Sequence, residues 1–349
     1  MISIAQVVFT FITTLVLCLF LRPFFFSLRL VAMSGDNNIH QGSVPLVGGT
    51  AILISVWMSL RIFQSSDFFF LTLSSGLLPI YLVSLLDDRY SVHPLLRLAV
   101  QSGALLLLMT NFGFNIDNIS WPGLAIELGA MSSLFTILVG LFLINAFNMI
   151  DGLDGLCASV SMIGFICLGI ILSGNISIFC YSITCALAGF LMLNFPYSNS
   201  FRKILETRYG KFRVFLGDSG SASVGLVFFA LLCVSLEQET VITEKFNYWQ
   251  AWYFIALPVL DALNTILIRM KNGRIPIYGA LDHYHHALIK AGFSEGSALM
   301  LSIFISIIFA IIGYISMFND VSTLSNLGFF LASFIIFSYF KHRLFSRSP

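Results

Sequence analysis

Hydrophobic runs of about twenty residues recur along the whole chain, and that recurrence leaves little choice of fold. About 20 mostly apolar residues in a helix cross the roughly 30 Å hydrocarbon core of a bilayer. Eleven such runs are read at 3–26, 45–63, 68–86, 95–112, 131–149, 156–173, 176–195, 214–236, 249–269, 297–318 and 322–341. The expected fold is an all-α integral membrane protein, a polytopic bundle of about eleven transmembrane helices forming one domain over residues 1–349. Only 10% of the residues are charged, against about 25% in soluble domains. The first run lacks a basic segment ahead of it and outruns a signal-peptide core, so it is read as a span. A formal net charge of +1 argues against a nucleic-acid partner. Cys18, Cys157, Cys167, Cys180, Cys185 and Cys233 fall in or beside apolar runs without CxxC spacing, and are read as small core residues.

Basic residues set the orientation, because Lys and Arg accumulate on the cytoplasmic side. Alternating from the first loop, that side receives Arg22, Arg29, Arg89, Arg97, Arg202, Lys203, Arg208, Lys211, Arg213, Arg269, Lys271, Arg274, Lys290, Lys341, Arg343 and Arg347. Only Arg61 and Lys245 fall opposite. The N-terminus is expected outside and the C-terminus in the cytoplasm.

The polar residues inside or beside the spans gather on that same side. Asp87 and Asp88 end the third run, Asp151 and Asp154 follow the fifth, Asn194 ends the seventh and Asp218 opens the eighth. His283, His285 and His286 lie between the ninth and tenth. Charges at a membrane helix end are unfavourable unless paired, solvated or metal-bound, so this convergence reads as an active site rather than as scattered interfacial residues. In Asn145-Ala-Phe-Asn-Met-Ile-Asp-Gly-Leu-Asp-Gly-Leu156, helical spacing would put Asn148, Asp151 and Asp154 on one face, and glycine follows each acid. The adjacent carboxylates of Leu85-Leu-Asp-Asp-Arg-Tyr90 repel, which favours a cation partner or a raised pKa. Phe215-Leu-Gly-Asp-Ser-Gly-Ser221 offers backbone amides at a helix start for an anion, with Asp218 beside them for Mg²⁺; packing of small residues between helices is its other reading. Asp282-His-Tyr-His-His-Ala287 suits phosphate or sugar contact, zinc or a solvated loop, and the nearby Arg269, Lys271 and Arg274 favour an anionic ligand. His40, His93 and His342 are isolated and read as interfacial. No P-loop or dinucleotide fingerprint occurs.

Together, Leu86-Asp-Asp88, Asn145 to Gly155, Phe215 to Ser221 and His283-Tyr-His-His286 resemble the polyprenyl-phosphate N-acetylhexosamine-1-phosphate transferases, of glycosyltransferase family 4 type. Gln41 to Gly49 and Leu257-Pro-Val-Leu-Asp261 fit the same pattern, so the resemblance runs from about 40 to 293. The spaced His-x-His-His is more similar to the UDP-GlcNAc branch than to the muramoyl-pentapeptide branch, whose histidines are contiguous. The resemblance implies transfer of a HexNAc-1-phosphate from a UDP-N-acetylhexosamine to undecaprenyl phosphate, releasing UMP. Mg²⁺, or Mn²⁺ in its place, assists. The setting it implies is a bacterial cytoplasmic (inner) membrane with the site facing the cytoplasm, at the start of a lipid-linked glycan such as an O-antigen; it is compatible with a homodimer. It assigns Asp218 and Asp151 to the metal, and Asp87, Asp88 and Asp151 to catalysis. Asn148, Gly152, Leu153, Asp154 and Asn194 are assigned to the nucleotide, and Arg97, His283, His285 and His286 to sugar and phosphate. The site would be built from 86–97, 145–156, 194–221 and 269–293.

Two segments depart from the family pattern. Gly279-Ala-Leu281 stands where the branch usually carries Pro-Asp-Arg, and Asp36-Asn-Asn-Ile39 where it usually carries basic residues. Two other readings compete. An NxxxDxxD-like match within Asn148 to Asp154 fits an intramembrane prenyltransferase, but leaves Gly217 to Ser221 and the histidines without a role. A transporter would place acids near the midplane, often in duplicated halves, whereas these acids crowd one interface. The orientation predicts that single cysteines introduced at 210 and 280 react with an impermeant thiol reagent from the cytoplasmic side only, and one at 120 from outside only. Labelling of 280 from outside would overturn the span order.

Overall fold

The computed structural model describes residues 4–32, 43–63, 68–121, 124–196, 212–235, 248–276, 282–319 and 321–346. The departures at 36–39 and 279–281, the positions 210 and 280, and the cations Arg202, Lys203, Arg208 and Lys211 lie outside them. The described chain is helical almost throughout: α1 (Ile4–Ser27), α2 (Gly48–Ile62), α3 (Phe68–Tyr90), α4 (Pro94–Phe112), α5 (Ser132–Ile150), α6 (Leu156–Ile171), α7 (Gly174–Asn194), α8 (Gly217–Val234), α9 (Tyr248–Phe254), α10 (Ala256–Lys271), α11 (Tyr284–Lys290), α12 (Glu295–Phe318) and α13 (Thr323–Ser346). Two short antiparallel ribbons join them, β1 (Val31–Ala32) with β2 (Val44–Pro45) and β3 (Asn118–Trp121) with β4 (Leu124–Glu127).

Each of the eleven expected segments contains helix, but they are not equivalent. Among the described residues seven helices are long and apolar enough to cross a bilayer, namely α1, α3, α5, α7, α8, α12 and α13. The 15 residues of α2 extend only about 22 Å at 1.5 Å each, α6 has 16 residues, and α4 is not among the seven. The expected 249–269 span is broken at Ile255, where φ is −124° and ψ is 23°. Pro258 explains the break: it has no N–H for the carbonyl of Phe254, and its ring crowds that oxygen.

α8 is the hub. It is buried along nearly its whole length and packs against α2, α3, α5 and α6. Its small residues make that possible, since apolar helices in lipid associate by close packing. Side chains added at Gly225 and Gly49 would meet Ile144 Cα at 2.6 Å and Gly220 Cα at 2.5 Å. Large rings fill the space below, with Phe228 stacked between Phe147 and Phe165 at 4.7 and 4.1 Å. A second seam, between α1 and its neighbours α2 and α7, is polar: Thr10 donates to Ser59 at 2.7 Å and Gln6 to Ser182 at 3.4 Å, all buried. At the other extreme α13 exposes Leu324, Phe329, Ile335 and Phe340, a lipid-facing surface.

Because the neighbour at Gly49 is backbone, α2 and α8 must separate to admit even one methyl group. Gly49→Ala is expected to cost about 1–3 kcal/mol, read as a lowered melting temperature in detergent. An unchanged transition would show that the α2–α8 contact is not close-packed.

Candidate active site

The site begins where α3 ends and α8 starts. The first amides of a helix have no partner within it, and here the Asp88 carboxylate supplies one. It accepts from Asp218 N at 2.8 Å and Ser219 N at 3.3 Å, where the helix dipole also favours a negative charge. Gly217 makes the approach possible twice over. Its φ of +76° suits glycine, and an added Cβ would lie 2.9 Å from Asp88 Oδ2. The strand-like residues leading into α8 are fixed by backbone bonds to the β2–α2 junction: Phe215 N to Pro45 O at 2.9 Å, Gly48 N to Phe215 O at 2.8 Å and Gly49 N to Leu216 O at 3.0 Å. Asp87 turns the other way. It accepts from Val92 N at 2.7 Å and pairs with Arg97, whose Nη1 also lies 3.5 Å from Asp218 Oδ2.

The expectation of one helical face carrying Asn148, Asp151 and Asp154 is corrected here. α5 stops at Ile150, and residues 151–155 form a tight turn with Gly155 at φ +73° before α6 begins. The two acids diverge in consequence. Asp151 stays beside Asp218 and Asp88; burial, then those two like charges, push its carboxyl well above the ordinary range. Asp154 is buried and paired with Arg213. Asn148 remains with the acids, within bonding reach of Asp218 and donating to Ser221 at 3.2 Å. Asn194 clasps the turn from behind: its Oδ1 accepts from Gly155 N at 2.7 Å and its Nδ2 donates to Val214 O at 2.8 Å. Leu153 is buried beneath the same turn. Asn145 faces away, bonded to Gln101 and the Leu141 carbonyl.

The histidines come down on this turn. His285 is 1% exposed and, among the described residues, neither of its ring nitrogens has a hydrogen-bond partner. It presses on Gly152, where an added Cβ would lie 2.0 Å from its Nε2. Its ring stacks on His283 at 5.8 Å and lies 4.1 Å from His286. Burial, then the neighbouring imidazole, lowers His285 to about 3 and His286 to about 4. His283 is tied into a network: its Nδ1 meets Asp261 Oδ2 at 3.1 Å, and Arg269 Nη2 approaches its Nε2 at 3.5 Å while gripping Asp282 at 2.5 and 2.9 Å. Lys341 of α13 completes the network at Asp261 Oδ1, 2.7 Å away. Lys341, one of the cations counted on the cytoplasmic side, is fully buried. It and Arg213 were not singled out from sequence. An ionisable residue within an apolar run, as in Phe340-Lys-His342, is the signal that marks a paired charge. Of the isolated histidines, His93 caps α4, accepting from Leu95 N at 3.3 Å.

Asp87, Asp88, Asp151 and Asp218 thus meet, with Arg97 as the cation bonded among them within the described residues. Among the described residues no three Asp, Glu, His or Cys side chains close around a metal ion. A preformed protein cage is not what Mg²⁺ requires: one or two carboxylates plus phosphate oxygens and water suffice. Carboxylates, an amide oxygen and a serine hydroxyl form a hard oxygen set that fits it.

A family model described as Glycosyl transferase family 4 matches residues 70–236. The chain is 27% identical over 344 residues to the undecaprenyl-phosphate alpha-N-acetylglucosaminyl 1-phosphate transferase of Escherichia coli (strain K12), covering 94% of this chain and 88% of that protein. The proteins of the same name from Yersinia pestis and Haemophilus influenzae are also 27% identical, covering 96% of this chain and 90% and 92% of theirs.

The histidine burial has a consequence for stability. An unfolded histidine titrates near 6.5, whereas folded His285 and His286 take up protons only near 3 and 4. As pH falls below about 6.5 the unfolded chain gains protons that these folded histidines refuse, so their contribution to stability declines from there toward about 4. Asp151, whose carboxyl is raised, works in the opposite direction over this range, so the check is a comparison: on going from pH 7 to pH 5 the change in melting temperature is expected to be less unfavourable in His285→Asn than in wild type. The same change in both proteins would show that His285 is not buried neutral.

Proposed function

We propose that this chain, whose residues 70–236 match a family model described as Glycosyl transferase family 4 and which is 27% identical to an undecaprenyl-phosphate alpha-N-acetylglucosaminyl 1-phosphate transferase, moves a HexNAc-1-phosphate from a UDP-N-acetylhexosamine to undecaprenyl phosphate. The observation that carries this reading is the meeting of four carboxylates from three separate segments beside His285 and the 151–155 turn. An oxygen of the lipid phosphate attacks the β-phosphorus of the donor. The bond from that phosphorus to the bridging oxygen breaks, and UMP leaves with the electron pair. A phosphate monoester has a second pKa near 6, so at neutral pH the attacking group is largely a dianion and needs little deprotonation. Asp87 accepts a proton only from the monoanion, and otherwise holds Arg97 toward the reacting phosphates. Asp218 and Asp151 would hold Mg²⁺, which supplies charge neutralisation at the diphosphate. Arg97 and the α8 start act electrostatically, where fixed donors facing developing charge are worth most. Asn148, Gly152, Leu153, Asp154 and Asn194 form or support the nucleotide side, while His283, His285 and His286 face sugar and phosphate.

The same proposal places the site at the cytoplasmic face of a bacterial inner membrane, with an outer N-terminus and about eleven crossings. This is supported by the sixteen Lys and Arg residues that fall on that side. It also names the sugar as GlcNAc or a 6-deoxy-N-acetylhexosamine, since Ala280 and Leu281 replace polar groups beside the histidines and a site built for a hydroxyl rejects its absence strongly.

Purified protein given undecaprenyl phosphate and a panel of UDP-amino sugars, the 6-deoxy analogue included, is expected to release UMP. Failure with every donor would sink the reading. Asp218→Asn is expected to lower kcat about a thousandfold or more, the loss of several kcal/mol of transition-state stabilisation, with the fold intact. Retention of a tenth of the activity at saturating Mg²⁺ would remove Asp218 from the metal site.

A further inference from the structure

We propose that Lys341, on α13, is a positioning residue for the histidine loop, holding His283 in one orientation through Asp261. The inference rests on the transferase reading for what the loop contacts, but the geometry stands by itself. Asp261 is 1% exposed and Lys341 0%. One carboxylate oxygen of Asp261 takes Lys341 Nζ at 2.7 Å and the backbone N–H of Tyr284 at 2.9 Å; the other takes His283 Nδ1 at 3.1 Å. Thr265 Oγ1, one turn along α10, receives a second bond from Lys341 at 2.7 Å. Asp261 therefore fixes both the His283 ring and the first amide of α11, and Lys341 fixes Asp261.

The charges explain why a lysine is needed there. The ionic groups facing His283 are Asp261, Asp282, Arg269 and Lys341, two of each sign, with His285 and His286 packed alongside. The His283 Nδ1 faces Asp261 at 3.1 Å, and Arg269 Nη2 lies 3.5 Å from its Nε2. Without Lys341 the buried Asp261 carboxylate loses the cation that fixes it, and its hold on the His283 ring loosens. The stack from His283 to His285 carries that disturbance to Gly152 and the turn beside Asp151. A buried lysine that only joined helices would not be bonded to the carboxylate that orients the loop.

Lys341→Met in full-length protein in nanodiscs is expected to lower kcat/KM for UDP-GlcNAc at least tenfold, mainly through KM for the donor. The KM for undecaprenyl phosphate should stay within twofold. In a His283→Ala background the same change is expected to add less than twofold. Losses that multiply, or a single variant within twofold of wild type, would overturn the proposal. Lys341→Met with Asp261→Asn removes both charges, leaving no lone ion in the interior. That double variant should melt within a few degrees of wild type and still show the tenfold loss; recovery of wild-type efficiency would overturn the proposal. Hydrogen–deuterium exchange gives a readout independent of turnover. Lys341→Met should speed exchange at 283–286 at least tenfold while α12 keeps its protection, and unchanged exchange would overturn the proposal. If wild type releases no UMP from any donor, the transferase reading fails while the exchange result still judges Lys341.

Discussion

The bond between the Asp88 carboxylate and the first amides of α8 is the contact on which the rest of the structure depends. A helix start inside a membrane protein cannot rely on water for its free N–H groups, so its acceptor must come from another helix. Once Asp88 fills that role, the end of α3 and the start of α8 are locked together. Gly217 is then required by both its φ and its lack of a side chain. Asp218 follows at the first turn, and α5 docks on the Gly225 face so that Asn148 reaches Ser221. One hydrogen-bonding requirement thus orders three helices and places two of the site's acids.

The carboxylates fall into two electrostatic classes. Asp154 with Arg213, Asp261 with Lys341, and Asp282 with Arg269 are matched pairs. Removing one member of a fully buried pair is strongly destabilising, because the other is left alone in a low dielectric. Asp87, Asp88, Asp151 and Asp218 are not matched, with Arg97 bonded to two of them. The matched pairs surround the unmatched group and stiffen the segments that carry it.

Much of this was legible in the chain itself. Apolar runs located the helices, and the basic residues between them predicted that Asp87, Asp88, Asp151 and Asp218 share a face. Periodicity, however, does not register where a helix stops. Asn148-Met-Ile-Asp-Gly-Leu-Asp154 has helical spacing, yet two glycines let the chain turn after Ile150, and Asp154 leaves the group. Pro258 lay inside an apolar run whose length concealed the break at Ile255. Lys341 was hidden by a rule that counts cations by side and says nothing of depth. Pairings across eighty residues, such as Asp261 with Lys341, leave no local trace.

That last distance bears on how the protein is made. Asp261 emerges from the ribosome eighty residues ahead of its lysine, and the histidine loop follows it while its buried anchor is still unsynthesised. Until α13 docks, Asp261 lacks its lysine partner, and the carboxylate that holds His283 and the Tyr284 amide is itself unanchored. Maturation of the site is therefore coupled to completion of the bundle, and an arrested or truncated chain would hold its acids without an ordered histidine loop.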